Sequence, residues 1–237
     1  MNEKSPCDVL AVGAHPDDVE VGVGGIVAKL VKQGRRVAIL DLTQGELGTR
    51  GTIEERHAEA QSAAAILGVA QRVNAKLYDG SLANVRPMQA IVAHFIRELR
   101  PRILICPMHT DRHPDHDAAH NLLRDANYFA GLQKIDIALG PHRASHVYYY
   151  RVYGESTPPS ALIDISDVFE TKLAALRAYK SQLFNPQYEG AATFVSSEAF
   201  WNSIRVRAEY WGARIGVKYA EPIYSDAPIA LTTLPGL

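Results

Sequence analysis

Four short runs, at Val9–Gly13 and at 36–43, 72–77 and 102–106, alternate with stretches whose apolar residues recur at helical spacing. This alternation restricts the fold more than any other feature of the sequence. Short apolar runs bounded by polar residues fit strands covered on both faces, and strands alternating with helices assemble as parallel βαβ units with right-handed crossovers. Residues 26–31, closed by Lys32 and Gly34, predict the first helix. Thr52 and Glu55 form the capping-box pair of the second, which runs through Glu59 to Leu67 and stops at Gly68. Pro87 opens a third helix through Ile91, Phe95 and Leu99, and residues 113–117 lead into a fourth through Leu122, Leu123 and Ala126. The expected architecture is α/β, a Rossmann-like, mostly parallel sheet with helices on both faces.

From about residue 140 the pattern is less regular. Strands are expected at 145–150 and 161–165, with a turn-rich 154–159 between them. Ser166 is expected to cap a helix from 168 to about 179, residues 185–195 read as loop, and 198–215 as one long helix. No linker divides the chain, and 237 residues suit one domain spanning 1–237.

Composition removes several function classes. Twenty-five basic residues nearly balance twenty-six acidic ones, with no basic run of the kind that binds nucleic acid and no apolar span long enough to cross a bilayer. The opening residues reach a strand too soon for a signal peptide, with Asp8 breaking the apolar stretch, so a cytoplasmic protein is expected. Cys7 and Cys106 then read as small buried hydrophobes rather than as a disulfide.

Two histidine–aspartate clusters follow predicted strands: Ala14-His15-Pro16-Asp17-Asp18-Val19-Glu20 and Asp111-Arg112-His113-Pro114-Asp115-His116. Loops that leave parallel strands converge at the carboxyl edge of the sheet, so the clusters are expected to meet. His15, Asp18 and His116 then offer two nitrogens and one oxygen, a catalytic Zn²⁺ set with room for water, which suits that borderline-soft ion better than Mg²⁺. Asp17 is the nearest remaining carboxylate and the expected general base for the attacking water. His113 is expected to protonate the leaving group or stabilise an oxyanion, and Asp115 to orient an imidazole and fix its tautomer. A metal-dependent hydrolase is the leading expectation. One histidine in a turn is usually structural; two such clusters at equivalent strand exits are much harder to explain that way.

Gly22, Gly24 and Gly25 suggest a dinucleotide turn, but Val27 stands where the third fingerprint glycine belongs, and close helix packing is the simpler expectation. Glu46, Arg50 and Arg56 lie on the segment after the second strand, and Arg112 lies beside the second cluster. Arg56 and Arg112 are the candidates for a substrate carboxylate or phosphate, because a guanidinium fork matches those anions.

The two clusters, in this order and each in a βα context, resemble the signatures of the PIG-L or LmbE-like zinc-dependent deacetylases of N-acetylglucosaminyl compounds. The resemblance implies His15, Asp18 and His116 for zinc, Asp17 as general base and His113 as the imidazolium near the oxyanion or leaving group. It implies a small N-acetylated amino-sugar substrate and a homo-oligomer, a hexamer by that resemblance. Asp41-Leu42-Thr43, Gly51-Thr52-Ile53-Glu54-Glu55-Arg56 and the late run Trp211-Gly212-Ala213-Arg214-Ile215-Gly216-Val217-Lys218-Tyr219 are similar to the bacillithiol-pathway branch, which deacetylates N-acetyl-α-D-glucosaminyl L-malate. That likeness implies that Arg56 and Arg112 face the malate carboxylates. Deacetylases of other N-acetylglucosaminyl conjugates or of chitooligosaccharides share the same core and form the alternative; a non-catalytic sugar- or metal-binding protein is the remote one.

Overall fold

The computed structural model describes residues 6–154 and 157–230; the opening residues behind the signal-peptide expectation lie mostly outside that range. Parallel strands β1 (Val9–Gly13), β2 (Val37–Thr43), β3 (Gln71–Leu77), β4 (Ile103–Pro107) and β5 (His146–Tyr150) form one sheet in the order β3-β2-β1-β4-β5. Helices α1 (Asp18–Lys32), α2 (Ile53–Leu67), α3 (Arg86–Leu99) and α4 (Pro114–Ala130) alternate with them as expected. β6 (Ala161–Asp164) and β7 (Ala220–Ile223) form a separate antiparallel pair, while α5 (Phe169–Arg177) and α6 (Glu198–Ala213) come between them.

Side chains alternate across each strand and so build two cores. Val9, Ala11, Val37, Ile39 and Ile105 pack on the face covered by α1, α2, α5 and α6. Leu10, Val12, Ala38, Leu40, Leu104 and Cys106 pack on the other, under α3 and α4. Ile39, Leu40 and Leu104 are fully buried, and burial of such a side chain contributes about 1.5–3 kcal/mol. Cys7 and Cys106 are both buried and free, as expected. No helix among the described residues is long and apolar enough to cross a membrane.

β1 pairs with β2 on one side and β4 on the other, so the sheet reverses its winding between β1 and β4. A crevice opens at such a reversal, outside the carboxyl ends of the strands. The loops that carry the two clusters leave from those ends.

The first helix differs from expectation. It begins at Asp18 rather than at residue 26, and the glycines lie inside it. A Cβ on Gly22 would come within 2.1 Å of the Tyr150 ring, and one on Gly25 within 2.6 Å of Ile165. Helical periodicity was broken by residues that permit close approach, not by a turn. Val23 departs from helical geometry (φ −140°, ψ 20°) and kinks α1. A buried ion pair satisfies the backbone groups at the kink: Lys172 donates to Val21 O, and Glu221 accepts from Gly25 N and Ile26 N. The helix after β6 is also shorter than expected. It starts at Phe169, and the Ser166 hydroxyl is engaged instead by the chain entering β7: it donates to Tyr219 O and accepts from Tyr219 N.

Candidate metal centre and active site

His15, Asp17 and Asp18 occupy the turn from β1 into α1. Asp17 is the N-cap of α1 with φ 119°, and its side chain makes no capping bond, which leaves the carboxylate for the pocket. A backbone held in this region costs about 1–3 kcal/mol and persists where surrounding structure enforces it. Glu20, one turn into α1, accepts from Arg72 of β3, whose other nitrogens form a two-point pair with Asp41 at 2.8 Å. All three are buried, so the start of α1 is tied to β2 and β3 by an internal ionic network.

His113 and His116 come from the turn after β4. His113 is the N-cap of α4, and its Nδ1 accepts from Asp115 N at 3.2 Å. That bond leaves Nε2 to carry the proton of the neutral ring. Pro114 opens the helix, where a missing N–H has no consequence.

The structure brings the three expected ligands together. Asp18 lies between the imidazoles, with Oδ1 3.2 Å from His116 Nε2 and Oδ2 3.5 Å from His15 Nδ1. His113 stands beside them: ligand atoms of His15, His113 and His116 all lie within 4.8 Å of one another, as do those of His15, Asp79 and Asp115. The charge balance fits a dication. Asp18, Asp79, Asp111 and Asp115 crowd His15 and His116, outweigh the burial that opposes charge, and raise the first ring well above the ordinary imidazole range and the second to about 9. A mixed nitrogen–oxygen set that favours positive charge this strongly suits a metal ion.

Burial pushes Asp17 up to about 7, with the Arg56 guanidinium pulling the other way. Burial also opposes ionisation of Asp18, but His116 and His15 prevail and hold it well below the carboxylate range. The surroundings therefore push two adjacent aspartates in opposite directions, Asp18 towards the ionised form and Asp17 towards the protonated one. Burial, followed by His15 and His116, lowers the affinity of His113 for a second proton.

Asp115 lies 3.4 Å from His15 Nε2 and accepts from Gly80 N at 2.8 Å. Arg56 is buried under the loop after β2. It donates to Gly45 O and Pro16 O and lies 3.7 Å from Asp17. A Cβ on Gly45 would overlap its guanidinium, so that position, at φ +68°, requires glycine. Arg50 is held by Ser181 O and Ala191 O. The Arg112 guanidinium carbon lies over Phe194, 3.9 Å from the ring centre, and next to Tyr153, 5.8 Å from that ring's centre. His120, one turn along α4 from His116, is buried against Tyr149 and away from the pocket.

Sequence reasoning assigned no role to Asp79, Asp111 or Tyr153. Asp79 Oδ1 lies 3.0 Å from His15 Nε2. Asp111 Oδ1 lies 3.0 Å from His116 Nδ1, at an angle off that of a straight hydrogen bond. The Tyr153 ring stacks on His116. Asp79 follows β3 by two positions, so the strand-exit argument used for β1 and β4 had a third place to look. The pocket, of roughly 220 Å³, is lined by His15, Asp17, Asp18, His113 and His116 with Arg56, Asp79 and Tyr153, and by Leu47, Gly80, Gln182 and Val195.

Known proteins share this arrangement of chain. The PIG-L family signature, GlcNAc-PI de-N-acetylase, matches residues 10–127. The diacetylchitobiose deacetylase of Thermococcus kodakarensis is 33% identical over 231 residues, covering 91% of this chain and 81% of that enzyme. The conserved protein TT1542 of Thermus thermophilus superposes with TM-score 0.88 at 37% identity, over 98% of this chain and 99% of its own. The N,N'-diacetylchitobiose deacetylase of Pyrococcus horikoshii gives 0.77 at 26% identity, over 96% and 85%. The chain belongs to the PIG-L family of de-N-acetylases.

Proposed function

We propose that this protein is a zinc-dependent deacetylase that hydrolyses the acetamide of an N-acetylglucosaminyl conjugate, giving acetate and the free amine. The carrying observation is the convergence, in one pocket, of the ligand set His15, Asp18 and His116 with Asp17 and His113. Zinc bound there would polarise the carbonyl and acidify water. Asp17, held by its left-handed backbone and by Arg56, takes the proton as water attacks the carbonyl carbon. His113 offers Nε2–H to the oxygen on which negative charge develops. When the carbon–nitrogen bond breaks, one proton goes to the departing amine; the proton stored on Asp17 balances that step.

L-malate is the aglycone we favour. The cluster from Asp111 to His116 and the run from Trp211 to Tyr219 support it. So does Arg112, beside the second cluster and over Phe194, because a guanidinium fork matches a carboxylate. The second reading, a chitooligosaccharide, is favoured by the 33% identity to a diacetylchitobiose deacetylase.

Zinc-loaded protein should be given N-acetylglucosaminyl malate, N-acetylglucosamine and diacetylchitobiose, with free amine and acetate measured. A strong preference for the malate conjugate, lost in Arg112→Ala, is expected. Equal or faster turnover of the neutral sugars would replace the aglycone and keep the chemistry. No turnover of any of them by zinc-loaded protein would overturn the deacetylase reading.

A further inference from the structure

The short segment after β3 makes contacts that the chemistry above does not require. Asp79 Oδ1 lies 3.0 Å from His15 Nε2, and Oδ2 accepts from Leu47 N at 3.0 Å. Its own N–H donates to Glu46 Oε1 at 2.9 Å, and Glu46 Oε2 accepts from Gln44 N at 3.2 Å. The loop after β2 is therefore fastened twice to one residue, which also reaches the His15 ring. Leu47, 71% exposed, stands on the pocket rim. The next residue, Gly80, permits this closeness: a Cβ there would come 2.8 Å from Leu47 Cδ1.

We propose that Asp79 is a positioning residue for the metal centre. By accepting the Nε2 proton of His15 it leaves Nδ1 as the ring's lone pair, on the side of Asp18. By accepting from Leu47 N it joins the rim loop to the same unit. The inference rests on the reading of His15 as a metal ligand. Asp115 faces the same ring nitrogen, but at 3.4 Å and with its Oδ2 already bonded to Gly80 N. Metal-bound imidazoles commonly donate their other N–H to such a carboxylate, which sets both tautomer and ring orientation.

The test is zinc affinity measured against a competing chelator for wild type, Asp79→Ala, Asp79→Asn and Asp115→Asn, beside ring ¹⁵N spectra of the zinc-loaded proteins. Asp79→Ala is expected to weaken zinc binding by about 10–100-fold. His15 should bind zinc through Nδ1 in wild type, with a fraction through Nε2 in the variant. Asp79→Asn keeps one oxygen acceptor and presents an N–H where the second stood, so an intermediate loss is expected, and this variant decides the question if the alanine protein does not fold. Asp115→Asn should lose less than Asp79→Ala. Unchanged zinc affinity and ring signals in both Asp79 variants, or a greater loss in Asp115→Asn, would overturn the proposal. Neither readout needs turnover. A protein without deacetylase activity would thus defeat the proposed function and leave this one standing.

Discussion

His-Pro-Asp occurs twice at the rim of this sheet, and the two copies are used differently. After β1 the tripeptide lies outside the helix: α1 begins at Asp18, and Asp17 takes a left-handed backbone that leaves its carboxylate to the pocket. After β4 the helix begins at the proline, so His113 becomes the cap and Asp115 falls in the first turn, bonded to Gly80 N. In the mechanism we propose, the first turn supplies a metal ligand at its histidine and a base at its first aspartate, and the second a hydrogen-bond donor at its histidine and a ligand three residues on. Where the helix starts, more than the tripeptide itself, sets each side chain's task.

The comparison breaks most severely if a ligand is removed. His116→Ala should lose zinc, read by metal analysis, and with it nearly all turnover. Retained zinc and rate would show that the second turn supplies no ligand.

Asp17→Asn should keep zinc and lower kcat by about 10²–10⁴-fold, the usual contribution of a general base; Asp115→Asn, the same change in the other turn, should lower kcat much less. The base must be ionised to act, so wild-type kcat/KM should rise with pH through the Asp17 pKa. A neighbouring dication pulls that limb below the value of about 7 that burial sets. Arg56→Gln removes a lowering charge and should move the limb upward. A limb that stays in place would detach Arg56 from the base.

His113→Ala should cost about 10²–10³-fold in kcat with zinc retained, if the ring stabilises developing charge. It also removes a cap, and a loss of about 0.5–2 kcal/mol in denaturant unfolding is expected from that alone. Loss of zinc in this variant would make His113 a ligand.

Pro114→Ala should have the smallest effect, within about 1 kcal/mol of stability, because the position is helical and needs no N–H. A large loss would mean that the proline holds the second turn by more than its φ.

Much of the site was legible because its spacing is local. His15 and Asp18 share one turn, His113 and His116 another, and both turns end strands that the apolar pattern identifies. The capping box at Thr52 and Glu55 is present as expected for the same reason. Other features depend on partners far along the chain. Arg56, expected to face substrate, lines the pocket, but the backbone oxygens of Gly45 and Pro16 that also hold its guanidinium could not be read from the sequence. Asp41 stands at a strand end where a ribose-binding acid would lie in a dinucleotide fold, and here it is the partner of Arg72. The glycines of α1 interrupted its helical pattern because Tyr150 and Ile165, distant in sequence, pack against its backbone.

By itself the sequence determined the α/β alternation, the strand exits that carry chemistry and the residue types for a mixed nitrogen–oxygen metal site, since each follows from periodicity or from spacing within one turn. Tertiary structure alone decided that Asp79 reaches His15 and that burial pushes Asp17 up while Arg56 pulls it down. Both depend on strand order: β2 pairs with β1 and β3 with β2, so α2 and the segment after β3 come beside the turn after β1 and join residues that no local pattern connects.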